Sequence, residues 1–409
     1  MKAPAKGLLG LAGTLLLAAC ASTNTTVDDA PASRPPARVV APARAPSHLP
    51  ARDVHSDCAQ RAPRKPATDP YDASTVPMLS KTMFYARENY VDPRRLVWSR
   101  ALLGALTALP HVAPEISVDP GEGELPSSVT IGIAGLACRV PVAAVTEPWE
   151  MRSNVMAVMK LVQGSLPPLA AEPAGQRLFA LELAATNGML ATFDARSMLM
   201  ERSAPGQDAA APASRSLAAP EQILLGSRNV KVGYVRIERL FNDASASVRK
   251  ALGRFTREGV GGIIVDLRGN KGGLVDQAEK VVDAFATRGV IVSVVGRQGQ
   301  RVEEARADGT EPTVPVVVLA DRETGAGGAL VAAGLHDLAG AILLGEPTDA
   351  GASLQMVFDF ASPLDVAQKG PPLALKLTVA HWRLAGDRSI EGTGVVPDVP
   401  IPPSPSARA

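Results

Sequence analysis

The residues with chemistry in them are concentrated between Val316 and Gln355. An apolar run, Val316–Ala320, reads as a buried strand, and Thr324-Gly325-Ala326-Gly327-Gly328-Ala329-Leu330 as a tight turn that opens a helix. His336 and Asp337 lie on that helix, and G-E-P-T-D-A-G-A-S-L-Q (residues 345–355) follows it. Backbone N–H groups at such a turn, Gly327 among them, can form a nest for a carboxylate or carbonyl oxygen. The plainer reading is that the glycines only let the chain turn. Thr324 and Ser353 carry hydroxyls that could stand in as a nucleophile. Thr324 stands two positions before Ala326, about 6–7 Å along an extended chain and too far to share one attack geometry. Ser353 has no base visible beside it. His336 and Asp337 are adjacent, and helix neighbours one apart do not face each other, so His336 is expected as a surface residue.

Other chemistries fit less well. Gly325-Ala326-Gly327 begins like a dinucleotide fingerprint, but Leu330 stands where the third glycine belongs. No phosphate loop is present. Five histidines and three cysteines are scattered without zinc-ligand spacing. No cofactor and no metal are expected.

The order of several motifs carries a resemblance. Val232–Ile237 (V-G-Y-V-R-I), Asp266–Leu274 (D-L-R-G-N-K-G-G-L), Gly345–Thr348 (G-E-P-T) and Asp387–Asp398 (D-R-S-I-E-G-T-G-V-V-P-D) are similar to the core motifs of the C-terminal processing, or tail-specific, serine proteases. Upstream, Glu88–Pro93 (E-N-Y-V-D-P) and Asn187–Ser197 (N-G-M-L-A-T-F-D-A-R-S) resemble that family's helical preamble, which normally continues into D-P-H-S. The resemblance implies a ClpP/crotonase-like core. It also implies a Ser–Lys dyad: serine attacks the peptide carbonyl, a desolvated lysine takes the proton, a glutamine orients the lysine, and backbone N–H groups hold the oxyanion.

Carried over position by position, the serine falls on Ala326 and the lysine on Gly351, while the glutamine falls on Gln355 and a family aspartate on Asp337. The glutamate after the serine turn becomes Ala329. Gly272, Gly273 and Gly327 are the implied oxyanion-type backbone donors. A methyl group has no lone pair and a glycine no base. Removing either member of such a dyad costs about a million-fold in turnover. The family's PDZ domain also has no counterpart, because only Glu201–Asn229 separates preamble and core.

Charge is nearly balanced, +1 from 42 basic and 41 acidic residues, which gives no footprint for nucleic acid. Lys2 and Lys6 precede an apolar run, Gly7–Ala19, and Leu17-Ala18-Ala19-Cys20 resembles a bacterial lipoprotein signal with Cys20 as the lipidated residue. Ala21 and Ser22 follow, without an aspartate. By that resemblance the chain is expected at the outer membrane, facing the periplasm. An oxidising compartment would permit a Cys58–Cys138 disulfide.

The expected organisation is a signal peptide (1–20), a disordered tether (21–77), a helical domain with a small hairpin (78–200), a linker (201–229), an α/β core (230–402) and a tail (403–409). Helices are read around Ser80–Tyr90, from Asp92-Pro93 to about Leu109, over Met151–Val162 and over Arg177–Leu190, with a hairpin at Val129–Val142. Strands alternate with helices from Val232 onward, the pattern of a layered α/β fold. The expected function is a lipid-anchored envelope protein that binds a polypeptide or envelope partner without cutting it. The alternatives are an active peptidase with a relocated nucleophile at Thr324 or Ser353, or a purely structural lipoprotein.

Overall fold

The computed structural model describes residues 52–54, 71–166, 176–201, 221–226, 229–360 and 372–402. Cys20 and Cys58, and with them the expected signal peptide and lipidation site, lie outside those residues.

The N-terminal layer is built on helices. Strand β1 (Arg52–Asp53) precedes helix α1 (Pro77–Asn89), which starts on a proline, a residue whose missing N–H is no loss in a first turn. Met83, Ala86 and Tyr90 are buried on one side, as their spacing predicts. The expected second helix is shorter than its sequence signals. Asp92 Oδ1 accepts the Arg94 N–H at 3.1 Å, but the turn it caps is a single 3₁₀ turn, Pro93–Arg95. The chain then extends through Val97 before α2 (Trp98–Thr107) begins. Strands β2 (Ser117–Asp119), β3 (Ser128–Ile133) and β4 (Leu136–Pro141) follow, with the expected hairpin at β3–β4. Helix α3 (Pro148–Ser165) is opened by a capping box between Glu147 and Glu150, and α4 (Gln176–Ala191) closes the layer.

The expected tether over 21–77 is too long. β1 pairs in parallel with β4, Arg52 opposite Cys138, and Val54, Tyr71, Ala73 and Val76 are buried in the helical core. These apolar side chains are isolated in a Pro- and Arg-rich stretch, so periodicity does not reveal them. Cys138 is disulfide-bonded.

The core contains the remaining elements: β5 (Met198–Glu201), β6 (Gln222–Leu225), β7 (Lys231–Arg236), α5 (Ala244–Glu258), β8 (Ile263–Asp266), α6 (Val275–Asp283), β9 (Arg288–Gly296), β10 (Gly299–Arg306), β11 (Val316–Ala320), α7 (Gly327–Ala339), β12 (Ile342–Gly345), β13 (Ser353–Asp359), β14 (Leu373–Arg383) and β15 (Val399–Pro400). One sheet runs β15-β12-β11-β8-β7-β6 and is parallel except at β6. Its central strand β11 is V-V-V-L-A, the continuous apolar run of a strand deep in a parallel sheet. The second sheet runs β10-β9-β14-β13, with β5 also on β14.

The expected linker over 201–229 is in part sheet. β6 pairs antiparallel with β7 and supplies partners for its outer edge. Two buried apolar clusters result, one in the helical layer and one in the core. β14 enters both, through Leu373, Leu375 and Leu377 in the first and Trp382 in the second.

Candidate functional site

Three loops at the carboxyl ends of parallel strands meet at Ala326. The first leaves β8. Asp266, at the strand end, accepts the Tyr234 hydroxyl at 2.8 Å and the Arg268 guanidinium at 2.9 and 2.7 Å. Burial pushes its pKa up, but the hydrogen bonds from Arg268 and Tyr234 outweigh this and hold it below the usual carboxylate range. Asn270 follows, fully buried. Its amide donates to the Ile237 carbonyl at 2.9 Å, its Oδ1 accepts the Gly272 N–H at 2.7 Å, and its backbone carbonyl accepts the Gly325 N–H at 2.8 Å. Asn270 therefore pins the first loop to the second.

The second loop joins β11 to α7. Asp321 accepts the Gly269 N–H at 3.0 Å and the Glu323 N–H at 3.1 Å. Ala326 is the cap of α7 and has φ +45°, ψ −113°. An L-residue in that conformation is strained by roughly 1–3 kcal/mol, and such strain concentrates at functional sites. Gly272 packs directly on it: a Cβ at 272 would lie 2.9 Å from the Ala326 Cβ and 2.9 Å from the Gly327 nitrogen.

The third loop follows β12. The Asp349 N–H donates to the Thr324 carbonyl at 2.9 Å, and its carboxylate rests against Gly325. Ala352 N–H donates to Glu391 at 2.7 Å, and Gly392 N–H to the Ala350 carbonyl at 3.0 Å, so the S-I-E-G-T-G segment holds this loop from behind. Asp349, two residues before Gly351, is thereby held against the Thr324–Gly325 turn.

The helical layer adds a residue that the sequence motifs did not single out. Asp194 accepts the N–H groups of Arg196 and Ser197 at 2.6 and 2.7 Å and the Ser197 hydroxyl at 2.8 Å. Ser197 Oγ in turn accepts the Thr378 N–H of β14 at 3.1 Å. This rigid turn projects Arg196 to Asp349, Nη2 to Oδ2 at 2.8 Å. A Cβ placed on Gly351 would overlap the Arg196 guanidinium. The sequence reading passed over Arg196 as part of the preamble segment Asn187–Ser197.

The other expected site residues separate into distinct groups. Gly273 and Gly327 keep N–H groups that no other described residue accepts, whereas the Gly272 N–H is taken by Asn270. The donor set expected at 272, 273 and 327 is thus reduced to two. Gln355 is half-buried on β13 and donates to Ser353 Oγ at 2.8 Å. Thr324 is fully buried; its hydroxyl accepts the Asp321 N–H at 3.0 Å and lies 2.9 Å from the Leu267 carbonyl. Asp337 is eleven residues beyond Ala326 on α7, about 16 Å at 1.5 Å per residue. Contrary to expectation, His336 does meet Asp337, Nδ1 to Oδ1 at 2.8 Å; its Nε2 also reaches Asp398, and Arg388 holds Asp337.

Residues 231–401 match the model of peptidase family S41. That stretch is similar to the C-terminal processing proteases. The carboxy-terminal-processing protease of Bartonella bacilliformis is 30% identical over 176 residues, 42% of this chain and 38% of the relative. Carboxyl-terminal-processing peptidase 2 of the Arabidopsis thaliana chloroplast is 29% identical over 181 residues, 44% of this chain and 33% of the relative. The matched stretch therefore spans between a third and two-fifths of these relatives' length. The photosystem II D1 C-terminal processing protease superposes over 81% of this chain and 93% of its own, at 16% identity and a TM-score of 0.50. The fold is the α/β, ClpP/crotonase-like core of S41 proteases, here with an α-rich N-terminal layer.

Proposed function

We propose that this protein holds a polypeptide or an envelope partner at the Ala326 turn without hydrolysing it, as a lipid-anchored member of the cell envelope attached through Cys20. The observation that carries the reading is the pairing of a methyl group at the helix-opening turn with a guanidinium in the space beside Gly351. A guanidinium has donors only and no lone pair to accept a proton. Acyl transfer at this turn lacks both its nucleophile and its base.

The relocated-nucleophile alternative is disfavoured by the same geometry. The Thr324 hydroxyl is buried and spent on the backbone, and Ser353 Oγ accepts from Gln355. The frame that would receive a chain is retained, with Gly273 and Gly327 N–H groups free among the described residues.

The test uses the full chain with a serine-reactive phosphonate and an unstructured reporter polypeptide. No adduct and no cleavage are expected, with photo-crosslinking of the reporter to the β11–α7 turn. An adduct on Thr324 or Ser353 would overturn the reading. Absence of crosslinking together with absence of cleavage would favour a purely structural lipoprotein. Labelled palmitate incorporation that survives Cys20→Ala would remove the anchor from the proposal.

A further inference from the structure

We infer that Arg196 is a stopper, supplied by the helical layer, that occupies the side-chain space of position 351 and closes the core to a base there. Four observations converge. Gly351 is buried, and its backbone is not in the left-handed region, so only space decides what side chain it can carry. The three atoms nearest to a Cβ at 351 all belong to the Arg196 guanidinium. That guanidinium is anchored by Asp349 at 2.8 Å. Its own backbone is fixed by Asp194, and the neighbouring Ser197 is fastened to β14.

A guanidinium is planar and fills a slot that a lysine stem would otherwise thread. It also keeps a positive charge beside the Ala326 turn while offering no proton acceptor. A side chain returned to 351 must drive Arg196 out, and that breaks its contact with Asp349. The Gly at 351 and the Arg at 196 are therefore one coupled feature, although 155 positions separate them (351 − 196).

The inference rests on reading 351 as the base position, but its test does not depend on whether a polypeptide binds. Full-length chains carrying Gly351→Ala, Arg196→Ala and both are compared by chemical denaturation. Gly351→Ala is expected to raise the unfolding equilibrium constant about fivefold or more in the parent and to have little effect beside Arg196→Ala, a coupling typical of residues in direct contact. If Gly351→Ala does not yield folded protein, recovery of folding by the added Arg196→Ala supports the stopper equally. An identical effect of Gly351→Ala in both backgrounds overturns it.

A second readout is chemical. Ala326→Ser with Gly351→Lys is compared with the same pair plus Arg196→Ala for labelling by the phosphonate. Labelling is expected only in the triple variant. Equal labelling of double and triple variants overturns the inference, and if neither is labelled the denaturation cycle decides.

Discussion

His336 Nε2 stands 3.3 Å from Asp398 Oδ1, joining the last turn of α7 to the segment that leads into β15. Its other nitrogen is 2.8 Å from Asp337, which Arg388 also holds. The hydrogen bond to Asp337 first, and then the bond and charge of Asp398, raise the His336 pKa above the usual imidazole value. A raised histidine stabilises the fold fully below its unfolded pKa, and the contribution is lost as pH rises through the folded value. His336→Gln is therefore expected to flatten the loss of stability as pH rises from the usual imidazole value upward. The site is partly exposed, so the change should stay below about 1 kcal/mol. Melting temperatures across that range check it; an unchanged slope refutes it.

Glu182 works in the same direction from inside the helical layer. It is fully buried, accepts the Tyr71 hydroxyl at 2.5 Å and the Leu79 N–H at 3.1 Å, and burial pushes its pKa up to about 7. The folded protein therefore binds a proton that the unfolded chain has released above its ordinary carboxylate pKa. Stability falls as pH rises from the unfolded value through about 7. Glu182→Gln is expected to remove that fall. Glu182→Leu should cost about 1–3 kcal/mol at pH 5, because the Leu79 N–H loses its acceptor. Denaturant titrations at pH 5 and 8 separate the two outcomes.

Ala326→Gly should stabilise the protein, unusual for a glycine introduced at a helix start. Relief of the φ +45°, ψ −113° strain outweighs the added freedom of the unfolded chain, for a net gain of about 1 kcal/mol. A lower melting temperature for this variant would show the turn to be relaxed.

The crossing of α2 and α4 depends on Gly104 and Gly188, each of whose missing Cβ would overlap the other's carbonyl oxygen. Gly104→Ala and Gly188→Ala are each expected to cost about 1–3 kcal/mol through overpacking. Wild-type stability in either variant would mean that the helices cross further apart.

Much of the scaffold was legible because its signals are local. The apolar run of β11 followed by a glycine turn marked the β11–α7 junction, and the alternation around Val129 marked the hairpin. β10 was not legible: G-Q-R-V-E-E-A-R is mostly exposed and is a strand only because β9 offers its edge. The site divided in the same way. Ala326, Gly351 and the flanking glycines follow from motif order. Asn270, Asp321 and Arg196 act through contacts with distant segments, such as the 153 positions between Arg196 and Asp349, and no spacing rule reaches that far. The His336–Asp337 contact was missed because the one-apart rule describes Cβ directions, while the ring and the carboxylate lie further out on their side chains and meet there.

One strand threads both hydrophobic interiors, giving its first half to one and its second half to the other. Loss of either interior strips that strand of half its support, so both should melt in one transition. Access to the turn by a hinge opening between them would also require tearing β14 from its neighbours. Any route to the turn must instead leave β14 and its partner strands paired.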